Sequence, residues 1–389
     1  MYIRIVRRRA LENGGVAVIA VSMVVLLLQY PEAVQNGINR GLSVCGTVII
    51  PTLFPFMLLA GWLAESPLCR HPGSIARRVA SKVFGLPGCC APAILLSLVG
   101  GYPAGMVAIS RLYKQGQINR EELKRMTAFC VCGGPGFIVG TVGIGLMGNT
   151  HAGWLLYAAQ AATAVGIGIW LGRGHRRCTE TDAPLPPRRP FAVMVSDTCG
   201  ALLSMCGFVA AAAMVLSLLE GIGVARGIAA VWGGSAATVS GIMAGILEVS
   251  CGCIALAGMP QAPLWLSLCL GWGGLSIHGQ LAAALPGEKV ITPRFLRWRL
   301  VQGIISSGLA WGLFALFPPK QSVGVHNLSP LPFTVSAAAS HMMLVLCFLT
   351  MLCFSEKKGG KNTEDVLYCE KWTKTDKEVP ADAPQTLWQ

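Results

Sequence analysis

Charge is what this sequence holds least of. Of its 389 residues only 13% are Asp, Glu, Lys or Arg, about half the share of an ordinary soluble domain, and that shortage excludes a soluble fold of ordinary make-up. No charged residue occurs in 13–31, 41–64, 126–172, 198–219 or 321–355. Apolar runs of that length read as bilayer spans. Catalytic signatures are missing too: without a G-x-S-x-G, an H-E-x-x-H or a P-loop, hydrolytic chemistry has no nucleophile elbow, zinc helix or phosphate cradle. We therefore expect no enzyme. The basic clusters lack interleaved aromatics and lie at span edges, which argues against nucleic acid as a partner. A disulfide framework is excluded because nearly all of the 15 cysteines lie inside apolar segments. Cys89–Cys90 and the C-x-C pairs Cys130/Cys132 and Cys251/Cys253 lack the ligand spacing of zinc sites, so they read as small buried hydrophobes. Neither a metal nor a cofactor is expected.

What the sequence does contain is 53% hydrophobic residues and 47 glycines. They predict an all-α polytopic membrane protein with about eight transmembrane helices and two re-entrant helical hairpins in two inverted repeats. Residues 1–32 form a basic segment and first helix, 33–172 a first repeat, 173–190 an Arg- and Pro-rich cytoplasmic linker and 191–317 a second repeat. A last transmembrane helix falls in 318–355, and the mixed-charge tail 356–389 reads as disordered. Continuous spans are expected at 14–30, 41–64, 152–171, 199–219, 300–317 and 333–354, and broken ones at 126–149 and 264–285. The hairpins fall in 83–110 and around 233–257. Internal duplication is visible in S-V-C-G at 43–46 against S-M-C-G at 204–207, and in C-G-G-P at 132–135 against W-G-G-L at 272–275, as in transporters built from repeats.

Lys and Arg outnumber Asp and Glu by 31 to 18, but in a membrane protein their positions carry more information than their sum. If each hairpin enters and leaves on one face, the basic loops 1–9, 70–82, 111–125, 173–189 and 289–299 share one side, and Arg40, Arg226 and Lys320 lie on the other. That asymmetry places both termini in the cytoplasm.

Four spans or hairpins are interrupted by glycine, at Gly100–Pro103, Gly133–Gly136, around Ser250–Gly252, and at Gly273–Ser276. Interrupted backbone at membrane depth must be buried in protein or line a wet cavity, so the four breaks are expected to meet near the midplane. Each exposes the positive end of a following half-helix, which contributes up to about 2 kcal/mol to a negative group. Several such ends could hold a carboxylate without any Arg or Lys inside the spans. Glycines that merely permit close helix packing are the alternative. Candidate substrate-binding residues are Gly100, Gly101, Tyr102 and Pro103; Gly133, Gly134 and Gly136; Glu248 and Ser250; and Gly273, Gly274, Ser276, His278 and Gln280. Glu248 is the single charge between Arg226 and Glu288, and an ionisable residue in that setting is a functional candidate. It could carry a proton, coordinate a cation or bond a substrate hydroxyl or amine; a wet carboxyl at the hairpin base is the plainer reading. Tyr102 could stack on an aromatic ligand or anchor at the interface. Asn149 and His151 read as solvated turn residues.

The stretches "SVCGTVIIPTLFPFMLLAGWL" at 43–63, "SLVGGYPAGMVAISRLYKQGQINREE" at 97–122 and "FCVCGGPGFIVGTVGIG" at 129–145 resemble the sporulation integral membrane protein YlbJ family. "GILEVSCG" and "LGWGGLSIHGQ" resemble its second half, and the likeness covers roughly residues 35–317. The resemblance implies nucleoside-recognition, or Gate, domains similar to parts of concentrative nucleoside transporters. It also implies a role in sporulation: movement of dipicolinic acid from the mother cell across the outer forespore membrane. Expected partners are membrane lipid, a small anionic substrate, a coupling proton or cation, and a second copy of the chain. A nucleoside or other metabolite carrier and a non-transporting scaffold for spore morphogenesis are the alternatives.

Overall fold

The computed structural model describes residues 17–18, 20–70, 72–174 and 188–319. The basic start, most of the linker, the last expected span and the tail lie outside the described residues. Every regular element among the described residues is helical.

Helix α1 (Ala20–Gln29) is followed by α2 (Pro31–Val44), which runs through a π-helical turn at Cys45–Ile49 into α3 (Ile50–Ala64). This rod starts ten residues before the expected Gly41, because Pro31 suits a first helical turn and the polar Asn36–Arg40 stretch still has a packing partner. Its partner is α9 (Phe191–Gly221). A Cβ on Gly37 would lie 2.7 Å from the Met214 Cα, and one on Gly41 2.7 Å from the Ala210 Cα. Small residues at such contacts let two backbones approach within a membrane. As numbers rise in α2 they fall in α9, so the two helices run antiparallel, and the Cys45 thiol donates to the Cys206 carbonyl at 3.8 Å. These are the cysteines of the matching S-V-C-G and S-M-C-G motifs. Each half thus touches its own counterpart, the self-complementary contact expected at a two-fold axis.

Beyond α3 come α4 (Pro67–Arg70), α5 (Ser74–Val83) and α6 (Ala91–Lys114). By length and composition Gly88–Lys114 could cross a bilayer, but it folds back on itself. Residues eight apart in one α-helix stand ~12 Å apart along its axis, yet a Cβ on Gly105 would meet the Ser97 Cβ at 3.0 Å. At the base the Cys89 thiol reaches the Gln117 carbonyl, 3.9 Å away. The turn is Gly101, whose φ of 75° and ψ of −163° leave the helical region. We call this hairpin 1.

Next, α7 (Arg120–Phe129) begins at a capping box in which Asn119 accepts from Glu121 N and Glu122 N and Glu122 returns the bond. Lys124, 2.6 Å from Glu121, holds the Glu121 carboxyl below its usual range by hydrogen bonding. The chain is non-helical at 130–134 and resumes as a π-helix, Gly136–Leu146, before α8 (Thr150–Gly172).

The second half repeats that order. After α9 come α10 (Val224–Trp232), α11 (Ala236–Leu247), α12 (Val249–Leu256), α13 (Ala262–Trp272), α14 (Gly274–Ala284) and α15 (Pro293–Leu316). The axis of α10 is bent 118° from that of α11. Helices α11 and α12 form hairpin 2: Gly252 backs directly onto Gly245, and a Cβ on Gly241 would meet Leu256 at 3.1 Å. Pro31–Ala64, α8, α9 and α15 are each long and apolar enough to span a membrane.

Ion pairs mark the two ends of this bundle. Glu65 gathers Arg70 (3.1 Å), Arg111 (3.8 Å) and Arg189 (3.1 Å), while Glu288 takes Arg120 (3.1 Å) and Arg294 reaches Glu121 at 3.7 Å. At the opposite end Arg40 pairs with Glu220 at 3.6 Å. Pairs at the bundle ends that water reaches are worth about 0–1 kcal/mol each, so packing contributes more to holding the bundle. Replacing Gly41 by Leu should cost about 1–3 kcal/mol or more through overpacking against α9. Gly46→Ala, with nothing within 4 Å, should be neutral or gain up to ~1 kcal/mol of helix propensity. Thermal unfolding in detergent checks the contrast, and equal midpoints for the two variants would rule out this contact as a determinant.

Candidate functional site

Backbone alone fits where the hairpin tips meet the broken spans. In the first half a Cβ on Gly101 would come within 2.7 Å of Gly134 N, and one on Gly134 within 2.7 Å of Gly101 N. In the second half a Cβ on Gly274 would lie 3.0 Å from the Glu248 Cα and 3.1 Å from Leu247 O. Gly273 and Gly274 also hold φ of 83° and 77°, where an L side chain is strained. Each hairpin tip therefore rests on the paired glycines of the broken span in its own half.

Two side chains tie the halves together. Tyr102 is buried, its ring 3.4 Å from a Cβ on Gly133 and 3.6 Å from one on Gly273, and its hydroxyl donates to the Leu270 carbonyl. It is thus a latch between halves, which places it neither at the interface nor free to stack on a ligand. Arg299, 1% exposed, donates through Nη1 to Val131 O at 2.6 Å, through Nη2 to Gly271 O, and through Nε to Trp272 O at 3.4 Å. Val131 and Gly271 each lie two residues before a Gly-Gly pair, so one guanidinium serves equivalent carbonyls of both repeats. Those carbonyls sit where α7 and α13 end, without intrahelical partners and with the partial negative charge of a helix C-terminus.

Helix lengths give the depth of this junction. From the end bearing Glu288, α14 and the second leg of hairpin 1 each extend 11–13 residues, ~15–20 Å. That is about half of a ~30 Å hydrocarbon core.

Glu248 forms the tip of hairpin 2 and is 2% exposed. Its extended backbone (φ −149°, ψ 131°) ends α11 and starts α12, and its carboxylate caps α12 by accepting from Cys251 N at 2.7 Å. The break therefore lies at Glu248, and Ser250–Gly252 belong to the first turns of α12. No glycine is required there because φ stays negative. This position, at a buried tip, also excludes a wet carboxyl at the hairpin base.

The remaining candidates separate. Gly100 and Gly136 turn toward α3, where a Cβ would meet Ala60 at 2.9 Å and the Phe56 ring at 2.5 Å; both are packing positions. Pro103 lines a cavity of about 60 Å³ between α3, hairpin 1 and α9 that extends to Arg111 and Asp197. Ser250 is buried in α12. On α14, His278 sits edge-on between the Trp272 and Phe295 rings, 4.6 and 5.1 Å away, with Nε2 3.1 Å from Trp272 O. Ser276 and Gln280 share a face one turn apart and are 5% and 8% exposed. Three buried atoms of this helix lack a hydrogen-bond partner: Ser276 Oγ, His278 Nδ1 and Gln280 Nε2. Asn149 does more than bind water, since it caps α8 by accepting from Ala152 N at 3.0 Å.

Against this geometry stands one similarity to a known protein. Over 317 residues the chain is 24% identical to the sporulation integral membrane protein YlbJ of Bacillus subtilis (strain 168), covering 72% of this chain and 78% of that protein. The chain is thus similar to YlbJ over most of its length. No family model matches it, and no solved structure does.

Sequence reasoning missed Arg299, which it counted as part of a basic loop. Thr292 caps α15 and Pro293 opens it, so Arg299 is already the seventh helical residue and heads a buried stripe with Gln302, Gly303, Ser306 and Ala310. That small and polar stripe at helical spacing was the available signal. Below Arg299, Gln160 Nε2 donates to Ser267 O (2.7 Å), Ser267 Oγ (3.0 Å) and Ser306 Oγ (2.9 Å), and Gln302 donates to Gln160 O at 3.0 Å. These bonds join α8, α13 and α15, the polar adhesive usual between membrane helices.

Arg299→Met should orphan the Val131 and Gly271 carbonyls at about 1–3 kcal/mol each, and Arg299→Lys should recover only part of the loss, because an ammonium lacks the planar fork. The unfolding midpoint in detergent should fall in the order wild type, Lys, Met. A Met variant as stable as wild type would contradict this role.

Proposed function

We propose that the protein is a sporulation membrane transporter that moves a small anionic solute by alternating access, with dipicolinic acid, crossing the outer forespore membrane, as the leading solute. The observation that carries this reading is the set of unmet polar atoms on α14 beside the Gly273–Gly274 break. Buried polar groups are nearly always paired, and two unpaired ones on one face of this half-helix, Ser276 Oγ and Gln280 Nε2, suit a surface that a solute covers. Sporulation enters from the printed name of YlbJ, and dipicolinate from the family resemblance with its Gate-type repeats.

The cavity beside hairpin 1 runs from the charged end at Arg111 and Asp197 to Pro103 at the tip. At about 60 Å³ it is well below the ~300–1,000 Å³ of ligand pockets. Admission of an aromatic dicarboxylate therefore requires the tip to move, which is the motion that alternating access demands. Glu248, the isolated acid at the other tip, is the candidate for coupling to a proton or cation. The end bearing Arg70, Arg111, Arg120 and Arg294 faces the cytoplasm by the positive-inside rule.

A non-transporting scaffold is the second reading, and the close backbone contacts at both tips favour it. It requires Glu248→Ala to be tolerated. In a spore-forming host, Glu248→Gln and Gly101→Leu should each lower spore dipicolinate about tenfold or more while the protein stays in the membrane. Normal dipicolinate in both variants would remove the site. Binding of uridine but not of dipicolinate by purified protein would favour a nucleoside carrier.

A further inference from the structure

Helix α5 carries a surface that the bundle leaves open. Ala80 and, just beyond the helix, Phe84 face the protein, at 1% and 6% exposure. Ile75, Val79 and Val83, spaced by four residues on the adjoining face, remain 77%, 44% and 38% exposed. Arg78 and Lys82 stand three residues after Ile75 and Val79 on the edge of that stripe and are exposed, while Arg77 lies round the helix from it and donates to Pro72 O at 3.1 Å. An exposed apolar stripe bordered by basic residues on a short helix is the pattern of a segment lying in the membrane interface, with side chains that extend toward head groups.

The second half holds a counterpart that separates the two ingredients. Helix α10 stands in the same place in the repeat, between a long span and a hairpin. Its 118° bend from α11 sets it across the direction of the hairpin leg, and Ile228, Val231 and Trp232 are 45%, 92% and 62% exposed. It lies at the end bearing Arg40 and Glu220 and contains one basic residue, Arg226. Both helices therefore present apolar surface at the edge of the bundle, and α5 adds the cluster of positive charge.

We propose that α5 is a docking site for anionic phospholipid head groups of the surrounding bilayer, held by Arg78 and Lys82 while Ile75, Val79 and Val83 enter the acyl boundary. The site bears on hairpin 1, because Phe84 N and Leu86 N both donate to Ala80 O, at 3.2 and 3.1 Å, and so tie the helix to the hairpin base.

The test uses the full chain in vesicles of equal parts phosphatidylcholine and phosphatidylglycerol, with Val79→benzoylphenylalanine as a photo-crosslinker and mass spectrometry of the adducts. Irradiation should give lipid adducts richer in phosphatidylglycerol than the vesicle. R78Q/K82Q should lower that enrichment by roughly five-fold per charge, the gain a basic residue draws from an anionic surface. R226Q should leave it unchanged. Adducts to peptide, which would mean that this chain or a second copy covers the stripe, would overturn the proposal, as would adducts that mirror the vesicle composition or an enrichment that survives R78Q/K82Q.

Discussion

A peptide carbonyl that loses its helical partner inside hydrocarbon must find another donor within the protein, at a cost of several kcal/mol if it fails. Here α7 and α13 both stop about halfway through the bundle, and their free carbonyls turn toward one point. Arg299 occupies it. One buried guanidinium offers five donors in a plane, reaches Val131 O, Gly271 O and Trp272 O, and places a positive charge against the negative ends of two helices. Charge burial and helix interruption, each expensive alone, offset one another.

The rest of the centre follows from that junction. With both broken spans fixed, the paired glycines Gly133–Gly134 and Gly273–Gly274 present bare backbone, against which the hairpin tips close at Gly101 and Glu248. Tyr102 adds a bond across the halves. The antiparallel contact of α2 and α9, centred on Cys45 and Cys206, gives the same inverted relation at the outside of the bundle. Long spans thus surround two short hairpins whose tips rest on backbone contacts.

Much of this was legible in the residues, because glycine and proline interrupt helices for reasons that do not depend on tertiary context. The breaks at Gly101 and Gly273, the fold-back of hairpin 1 and the isolation of Glu248 all came from local chemistry. The exact turn of hairpin 2 did not, since Glu248 adopts an extended conformation open to any residue and leaves no glycine as a sign. Arg299 was hidden for a different reason: at a span edge, a basic residue counts as an orientation signal until the helix start is known. Tyr102 looked like a ligand or interface residue because nothing local reveals a carbonyl 168 positions away. The π-helical turns at Cys45–Ile49 and Gly136–Leu146 carry no sequence mark either.

The central claim is that the junction of four breaks is a path for a small anion, and flux is its most direct measure. Purified protein in sealed vesicles, given radiolabelled dipicolinate with and without a proton gradient, should show saturable uptake that Gly101→Leu abolishes. Uptake no greater than in protein-free vesicles under either condition would contradict the account.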